Sequence, residues 1–139
     1  MSVSLLIIAH APLGSAILDV ATGTLGHNPI NTSVLDIVRD TEPDITRIQA
    51  QRLAEELDKG DGVLVLTDIY GSTPSNIACS LLNKERVRIV TGLNLPMLFR
   101  VMNYANLDLA GLTDKAVSGG HDGIMLHDQL CPTDKYRHA

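Results

Sequence analysis

Basic residues are scarce in this sequence of 139 residues, in which 11 lysines and arginines stand against 16 aspartates and glutamates. The net charge is -5 at pH 7, the pI is about 5.4, and no basic cluster interrupts the chain. Proteins that bind nucleic acid through its phosphates carry the opposite balance of charge. The composition therefore excludes nucleic acid as an expected partner.

Long hydrophobic runs are also missing. The longest apolar run covers residues 5–9, far below the length that a membrane-spanning helix needs. The first three residues, Met1, Ser2 and Val3, lack the positive charge that opens a secretory signal peptide. We therefore expect a cytoplasmic protein.

Cysteine is the third scarce residue, with only Cys79 and Cys131 in the chain. Cys79 stands in an apolar, helix-like segment, which predicts a small buried core residue, whereas Cys131 lies in a polar stretch. Because cytoplasmic thiols stay reduced, we expect no disulfide between them. The five histidines show no metal-ligand spacing, and neither cysteine pairs with them, so we expect no metal and no other cofactor.

Two kinds of hydrophobic periodicity alternate along the chain. Short apolar runs with the character of buried strands are followed by segments whose apolar residues recur at helical spacing. Strands are predicted at residues 5–9, 33–38, 63–67 and 87–91, and helices at about 13–25, 43–58, 74–82, 96–104 and 107–117.

This alternation predicts one α/β domain over residues 1–128, followed by a polar tail at residues 129–139. The expected fold is doubly wound, with a mainly parallel sheet of four strands and helices on both faces. Gly119 and Gly120 are predicted to break the chain before a short last strand at residues 123–127.

Polar groups follow the predicted strands at one edge of the sheet. The first strand ends on His10, the third ends on Asp68, and the fourth runs into Thr91-Gly92-Leu93-Asn94. Ligands of such sheets bind outside the carboxyl ends of the strands, where the strand order reverses. This rule places a candidate site at the edge that carries His10 and Asp68.

The pair formed by His10 and Asp68 suits nucleophilic chemistry. A histidine can be neutral and nucleophilic near neutral pH, and a neighbouring carboxylate fixes its tautomer and stabilises the cationic ring. Each residue also has a simpler interpretation, because His10 could merely cap its strand and Asp68 could bond its own loop. The coincidence of both at one sheet edge favours the paired interpretation.

The segment Gly71-Ser72-Thr73-Pro74 follows Asp68 and supplies a candidate anion site. Glycine permits close backbone approach, Ser72 or Thr73 can cap the next helix, and Pro74 suits its first turn. The glycine spacing is wrong for a nucleotide-binding P-loop and no lysine follows, so a single phosphoryl group fits better. The simpler alternative is an ordinary capped helix. A serine hydrolase is disfavoured because no Gly-x-Ser-x-Gly segment occurs.

Three stretches carry a resemblance to a known family. They are LLIIAHAPLGSAI around His10, LVLTDIYGSTPSN around Asp68 and VTGLNLPMLFRVM from Val90, and the ending SGGHDGIMLHD extends the match. Within the third stretch, Gly-x-Asn-x-Pro-Met-Leu is the most specific motif. The chain resembles the enzyme IIA domain of the mannose-type phosphotransferase system (the mannose, fructose and sorbose family) over nearly its whole length up to Asp128.

The resemblance implies a transferase, a phosphocarrier of the phosphoenolpyruvate-dependent sugar phosphotransferase system. In that family the protein HPr donates a phosphoryl group to the histidine that ends the first strand, here His10, which becomes a tele-phosphohistidine. An enzyme IIB component then accepts the group, and membrane permease components take part only indirectly. Asp68 would orient the imidazole, and Gly71, Ser72 and Thr73 would bind the phosphoryl group.

The resemblance also implies a homodimer, in which the last strand, here residues 123–127, pairs antiparallel with the edge of the neighbouring subunit's sheet. This sequence departs from the family in having Ala9-His10-Ala11 for Thr-His-Gly and Gly71-Ser72-Thr73-Pro74 for Gly-Gly-Ser-Pro. Thr73 keeps the hydroxyl, while Ser72 requires a backbone that accepts a Cβ atom. No IIB-like segment follows, so we expect enzyme IIB to be a separate polypeptide.

Three other roles stay open at this point. The phosphorylation state of His10 could be read by a regulator without sugar transport, or the chain could serve dihydroxyacetone kinase as its phosphocarrier. It could also be a doubly wound domain that binds a small ligand without covalent chemistry. Neighbouring genes for membrane components would favour transport, and the sequence does not define the sugar.

Overall fold

The computed structural model describes residues 2–129, in which strands and helices alternate along the chain as the periodicity predicts. A short 3-10 helix, His127–Gln129, closes the described part. The strands are β1 (Ser4–His10), β2 (Thr32–Ile37), β3 (Val63–Thr67) and β4 (Val87–Val90), and the helices are α1 (Leu13–Leu25), α2 (Pro43–Leu57), α3 (Thr73–Cys79), α4 (Leu95–Asn103) and α5 (Leu109–Asp122).

The four strands form one sheet in the order β2-β1-β3-β4, and every neighbouring pair is parallel. The chain passes from β1 outward to β2 and then returns across the sheet to β3. The strand order therefore reverses between β1 and β3, and the crevice outside their carboxyl ends is the expected ligand position. His10 ends β1, and Asp68 directly follows β3.

Both faces of the sheet are covered, which explains the continuous apolar run at residues 5–9 of β1. Leu5, Ile7 and Ala9 face a core built with α1, α4 and α5, whereas Leu6 and Ile8 face a core built with α2 and α3. Because alternate side chains of a strand point to opposite faces, each must be apolar. The predicted doubly wound, parallel four-strand sheet is confirmed.

The predicted chain break at Gly119 and Gly120 is wrong, because both residues lie inside α5. A Cβ atom on Gly119 would lie 2.7 Å from the Cβ atom of Arg100, and one on Gly120 would lie 2.9 Å from the Cε atom of Met97. The two glycines therefore let α5 pack closely on α4. Glycine is needed at these two positions for its small size rather than for its backbone freedom.

The predicted last strand is not formed within the single chain. Residues 124–126 follow α5 without regular secondary structure, and their side chains Ile124, Met125 and Leu126 are exposed. The predicted tail lies outside the described residues except for Gln129, and so does Cys131. Cys79, predicted to be buried, is an exposed free thiol at the end of the short helix α3.

Among residues 2–129, none of the helices combines the length and the apolar character that a bilayer crossing requires.

Candidate functional site

His10 and Asp68 are in direct contact at the sheet edge. The ring Nδ1 atom of His10 lies 2.7 Å from Oδ2 of Asp68, and the backbone N–H of His10 donates to the same oxygen at 2.9 Å. The other carboxylate oxygen accepts the backbone N–H of Ile69 at 2.9 Å. Asp68 therefore holds both the backbone and the ring of His10.

The environment of Asp68 favours its ionised form. Burial raises the pKa of the Asp68 carboxyl, but hydrogen bonds from the backbone and side chain of His10 and from the backbone of Ile69 outweigh this effect. The net result is a pKa below the usual range of an aspartate. Asp68 is thus a carboxylate at neutral pH and can only accept hydrogen bonds.

This contact determines the tautomer of the His10 ring. Because the Asp68 carboxylate accepts, Nδ1 carries the proton, and Nε2 is left with a free lone pair. The His10 side chain is 52% exposed, whereas the Asp68 side chain is only 10% exposed. The arrangement leaves the His10 side chain half exposed, while the carboxylate that bonds it is largely buried.

The loop after Asp68 is shaped by Gly71 and Ser72. Gly71 has a φ of 84°, a left-handed conformation that suits glycine, and its N–H donates to the hydroxyl of Ser75 at 3.3 Å. Ser72 has extended backbone angles, φ -85° and ψ 172°, so a Cβ atom is accommodated there. Its hydroxyl donates to the carbonyl of Ile69 at 2.7 Å. The Ser72 side chain thus closes the loop upon itself.

Thr73 lines the same cavity as His10, which Ser72 does not. Within residues 2–129 the Thr73 hydroxyl has no hydrogen-bond partner. Of the three residues predicted to bind a phosphoryl group, the structure brings Thr73 together with His10. Gly71 and Ser72 form the turn that carries Thr73 to this position.

The cavity beside His10 has a volume of about 560 Å³ and extends toward the carboxyl end of β2. The loop between β2 and α2 forms this wall, and it contributes Arg39, which the sequence analysis did not single out. One feature of the sequence pointed to this loop: β2 ends at the same sheet edge as β1. The lining residues are His10, Ala11, Ile37, Val38, Arg39, Thr41, Pro43 and Thr73.

The third predicted junction, residues 91–94, bonds the end of β3 and the start of the loop after it. The backbone N–H of Gly92 donates to the carbonyl of Asp68 at 3.1 Å, and that of Leu93 donates to the carbonyl of Thr67 at 3.0 Å. The side chain of Asn94 accepts the N–H of Met97 at 2.9 Å and thereby caps α4. This segment therefore fixes the loop that carries Asp68.

Asp36 is a second residue that the sequence analysis missed. It stands on β2 and accepts hydrogen bonds from both the backbone N–H and the hydroxyl of Ser15 in the first turn of α1. Gly14 packs so closely that a Cβ atom would lie 2.8 Å from Oδ1 of Asp36. These contacts hold the start of α1, and with it the turn that follows His10. The Ala11–Pro12 peptide bond in that turn is cis.

The apolar residues around the site divide into two groups. Ile69 and Tyr70, in the loop after Asp68, are 61% and 80% exposed, and Leu13 in the first turn of α1 is also exposed. Met97 is buried in the core and Leu95 is partly buried against it. The first group could contact a partner protein, whereas Met97 belongs to the packing of α4.

Metal-binding clusters are not found in the described part of the chain. No group of three or more histidine, cysteine, aspartate or glutamate side chains among residues 2–129 is arranged to hold an ion.

Fold and site together define a doubly wound α/β domain with one carboxylate-bound, exposed histidine at its topological switch point. The family described as "PTS system fructose IIA component" matches residues 4–117. This match covers most of the chain, which therefore belongs to the mannose-type enzyme IIA family of the phosphotransferase system (PTS). The predicted family is confirmed.

Individual relatives agree with this assignment. The "PTS system mannose-specific EIIAB component" of Escherichia coli K12 is 30% identical over 129 residues, which cover 89% of this chain but 39% of that protein. The chain thus spans about two fifths of the length of the curated relatives it matches.

Solved structures show the same fold. The phosphotransferase system component EIIA from Streptococcus agalactiae is 25% identical with a TM-score of 0.79, and the match covers 93% of this chain and 99% of that one. A mannose/sorbose specific IIA subunit from Enterococcus faecalis is 20% identical with a TM-score of 0.81, covering 96% and 98%.

Proposed function

We propose that the chain is a phosphocarrier of a sugar phosphotransferase system, which accepts a phosphoryl group from phospho-HPr on Nε2 of His10 and passes it to an enzyme IIB component. One observation carries the proposal: the bond from Nδ1 to Asp68 leaves Nε2 as the exposed, unprotonated ring nitrogen. Membership of the enzyme IIA family supports it.

The proposed step balances without a metal or nucleotide. The lone pair of His10 Nε2 forms a bond to phosphorus while the bond between phosphorus and the donor atom breaks, and the donor keeps that electron pair. The ring becomes cationic, its proton stays on Nδ1, and the Asp68 carboxylate stabilises it. Such transfers depend mainly on positioning and charge stabilisation, which a rigid strand end supplies.

Partner access follows from the position of the ring. His10 lies at the exposed edge, with Ile69, Tyr70 and Leu13 available around it as an apolar docking surface. A donor and an acceptor protein must use the same nitrogen in turn, and an open edge allows this. Aromatic side chains such as Tyr70 are common anchors of protein interfaces.

The test of the proposal is phosphorylation by a purified relay. The protein is incubated with phosphoenolpyruvate, enzyme I and HPr, and its intact mass is measured. We expect one phosphoryl group that is lost in acid and retained in base, the behaviour of a phosphohistidine. A second incubation with enzyme IIB should discharge it. If HPr is fully phosphorylated and the protein still carries no phosphoryl group, the proposal is refuted.

We further propose that Thr73 makes the side-chain hydrogen bond to the phosphoryl group, with Gly71 and Ser72 shaping the loop. Thr73→Val should slow phosphorylation by about tenfold, because a hydrogen bond to a charged group is lost, and should leave stability nearly unchanged. The matched variant Ser72→Ala removes a loop bond instead, so it should lower the free energy of unfolding by about 1 kcal/mol with little effect on transfer. Rapid-quench kinetics and urea unfolding measure the two effects, and the reverse pattern would contradict the assignment.

We also propose that the protein is a homodimer held by residues 123–127. The strand β4 is an edge of the sheet and pairs with β3 alone among the strands of the described chain. Ile124, Met125 and Leu126 project from the end of α5 as exposed apolar side chains. At this edge Val87 already forms an antiparallel bridge with Asn83, and the rest of β4 is a template for another strand. Antiparallel pairing with a second copy would cover that part of the edge and the exposed side chains together.

Ending the chain after Gly123 should convert the dimer into monomers at micromolar concentration. This variant keeps α5, which ends at Asp122, and removes residues 124–139, which include four of the five residues proposed to pair. Ending the chain after Gln129 is the control and should leave the dimer intact. Sedimentation equilibrium measures the association, and a tight dimer in the shorter variant would exclude this segment as the interface.

A further inference from the structure

The cavity beside His10 contains one cationic side chain that no part of the proposed mechanism uses. Arg39 lies in the loop between β2 and α2 and lines the cavity together with His10 and Thr73. No aspartate or glutamate lines this cavity. Apart from His10, Arg39 is therefore the only titratable group among the lining residues.

Arg39 is also free of carboxylate partners in the described chain. Three other arginines form ion pairs within residues 2–129, namely Arg47 with Asp44, Arg86 with Asp58 and Arg100 with Asp122. Arg39 forms none, and no hydrogen bond of its side chain occurs in this part of the protein. Its charge is thus available to an anion that enters the cavity.

We propose that the guanidinium of Arg39 binds the phosphoryl group carried by His10. This inference rests on the proposed phosphocarrier function and adds a residue to that site. A phosphoryl group on Nε2 brings up to two negative charges close to the Asp68 carboxylate. Repulsion between them opposes transfer, and a cation on the cavity wall offsets it.

The chemistry of the side chain suits this role. The planar guanidinium presents several N–H donors that match two phosphoryl oxygens at once, and it stays charged at every physiological pH. Thr73 lines the same cavity, and its hydroxyl has no hydrogen-bond partner within residues 2–129, so an incoming phosphoryl group would meet donors from two different loops. Donors that meet the charge developing on the phosphoryl oxygens stabilise the transition state.

The decisive comparison uses Arg39→Gln and Arg39→Lys, with Arg52→Gln as the matched control. Arg52 lies on α2, is exposed, and does not line the cavity, so its replacement changes the net charge equally. Each protein is first phosphorylated through enzyme I and HPr. The second pKa of the phosphoryl group is then measured by a phosphorus NMR titration, alongside the rate of phosphorylation at saturating phospho-HPr.

Contact with Arg39 favours the dianion, so Arg39→Gln should raise the phosphoryl pKa by about half a unit or more. The maximal phosphorylation rate should fall by about tenfold, since a charge-assisted bond is lost from the transition state. Arg39→Lys should keep the lower pKa but recover the rate only in part, because a point charge lacks the fork geometry. Arg52→Gln should match the wild type in both measurements.

The possible failures are distinguishable. A wild-type protein that accepts no phosphoryl group refutes the phosphocarrier function itself. A wild type that is phosphorylated while Arg39→Gln shows the same phosphoryl pKa and the same maximal rate overturns only the role of Arg39. A rise confined to the half-saturating HPr concentration would also overturn it, because that pattern assigns Arg39 to protein docking.

Discussion

Replacing His10 by alanine is expected to abolish phosphorylation of this protein by phospho-HPr. The variant lacks the only ring nitrogen that Asp68 orients at the sheet edge, and no other side chain in the described cavity is a comparable nucleophile. The fold should persist, since the His10 side chain is 52% exposed and its backbone N–H can still bond Asp68. Intact mass spectrometry after exhaustive incubation measures the outcome.

The matched control for His10→Ala is His27→Ala. His27 is an exposed histidine in the segment between α1 and β2, so its loss removes an imidazole without touching the site. This control should be phosphorylated like the wild type. Equal phosphorylation of His10→Ala and the wild type would show that a different residue carries the group, and the assignment of the site would be wrong.

The second large effect is expected at Asp68, where Asp68→Asn should slow phosphorylation by about 100-fold while leaving His10 able to react. An asparagine that turns its NH2 group toward the ring donates to Nδ1, while the backbone N–H of His10, which bonded the same oxygen, loses its acceptor. The ring then favours the tautomer with its proton on Nε2, which is the nitrogen that must attack. Asp68→Ala lacks this donor, so it should slow transfer less than Asp68→Asn.

Two measurements separate this explanation from a loss of structure. Nitrogen NMR shifts of the His10 ring should show Nδ1 protonated in the neutral wild type and a shift toward protonated Nε2 in Asp68→Asn. Urea unfolding should show a larger stability loss in Asp68→Ala, which leaves the backbone N–H groups of His10 and Ile69 without their acceptor. An unchanged tautomer together with unchanged kinetics would reduce Asp68 to a loop residue.

The site shows which functional residues can be predicted from local sequence patterns. His10 and Asp68 were predicted as partners because parallel strands end at one edge, and this rule needs only the strand assignments. The distinction between Ser72 and Thr73 could not be predicted in this way. Both are hydroxyl residues in the same loop, and only the three-dimensional turn places Thr73 on the cavity and bonds Ser72 to Ile69.

The glycines show that prediction from local pattern is limited in the same way for the fold. Gly26 was predicted to end α1 and does so, with a φ of 84°. Gly119 and Gly120 follow the same local rule but lie within α5, because contact with α4 requires small residues there. A sequence pattern registers the backbone freedom of a glycine, whereas a requirement for close packing depends on a partner helix distant in the chain.

The order of strands and helices, the parallel sheet and the edge that carries His10 could be predicted from the sequence alone, since periodicity and strand ends are local properties. Which ring nitrogen is free could not, since that depends on a contact between residues 58 positions apart. The tertiary structure also placed Arg39 and Thr73 on one cavity, which joins loops from different parts of the chain. Local pattern thus locates the nucleophile, and long-range packing selects the groups that surround it.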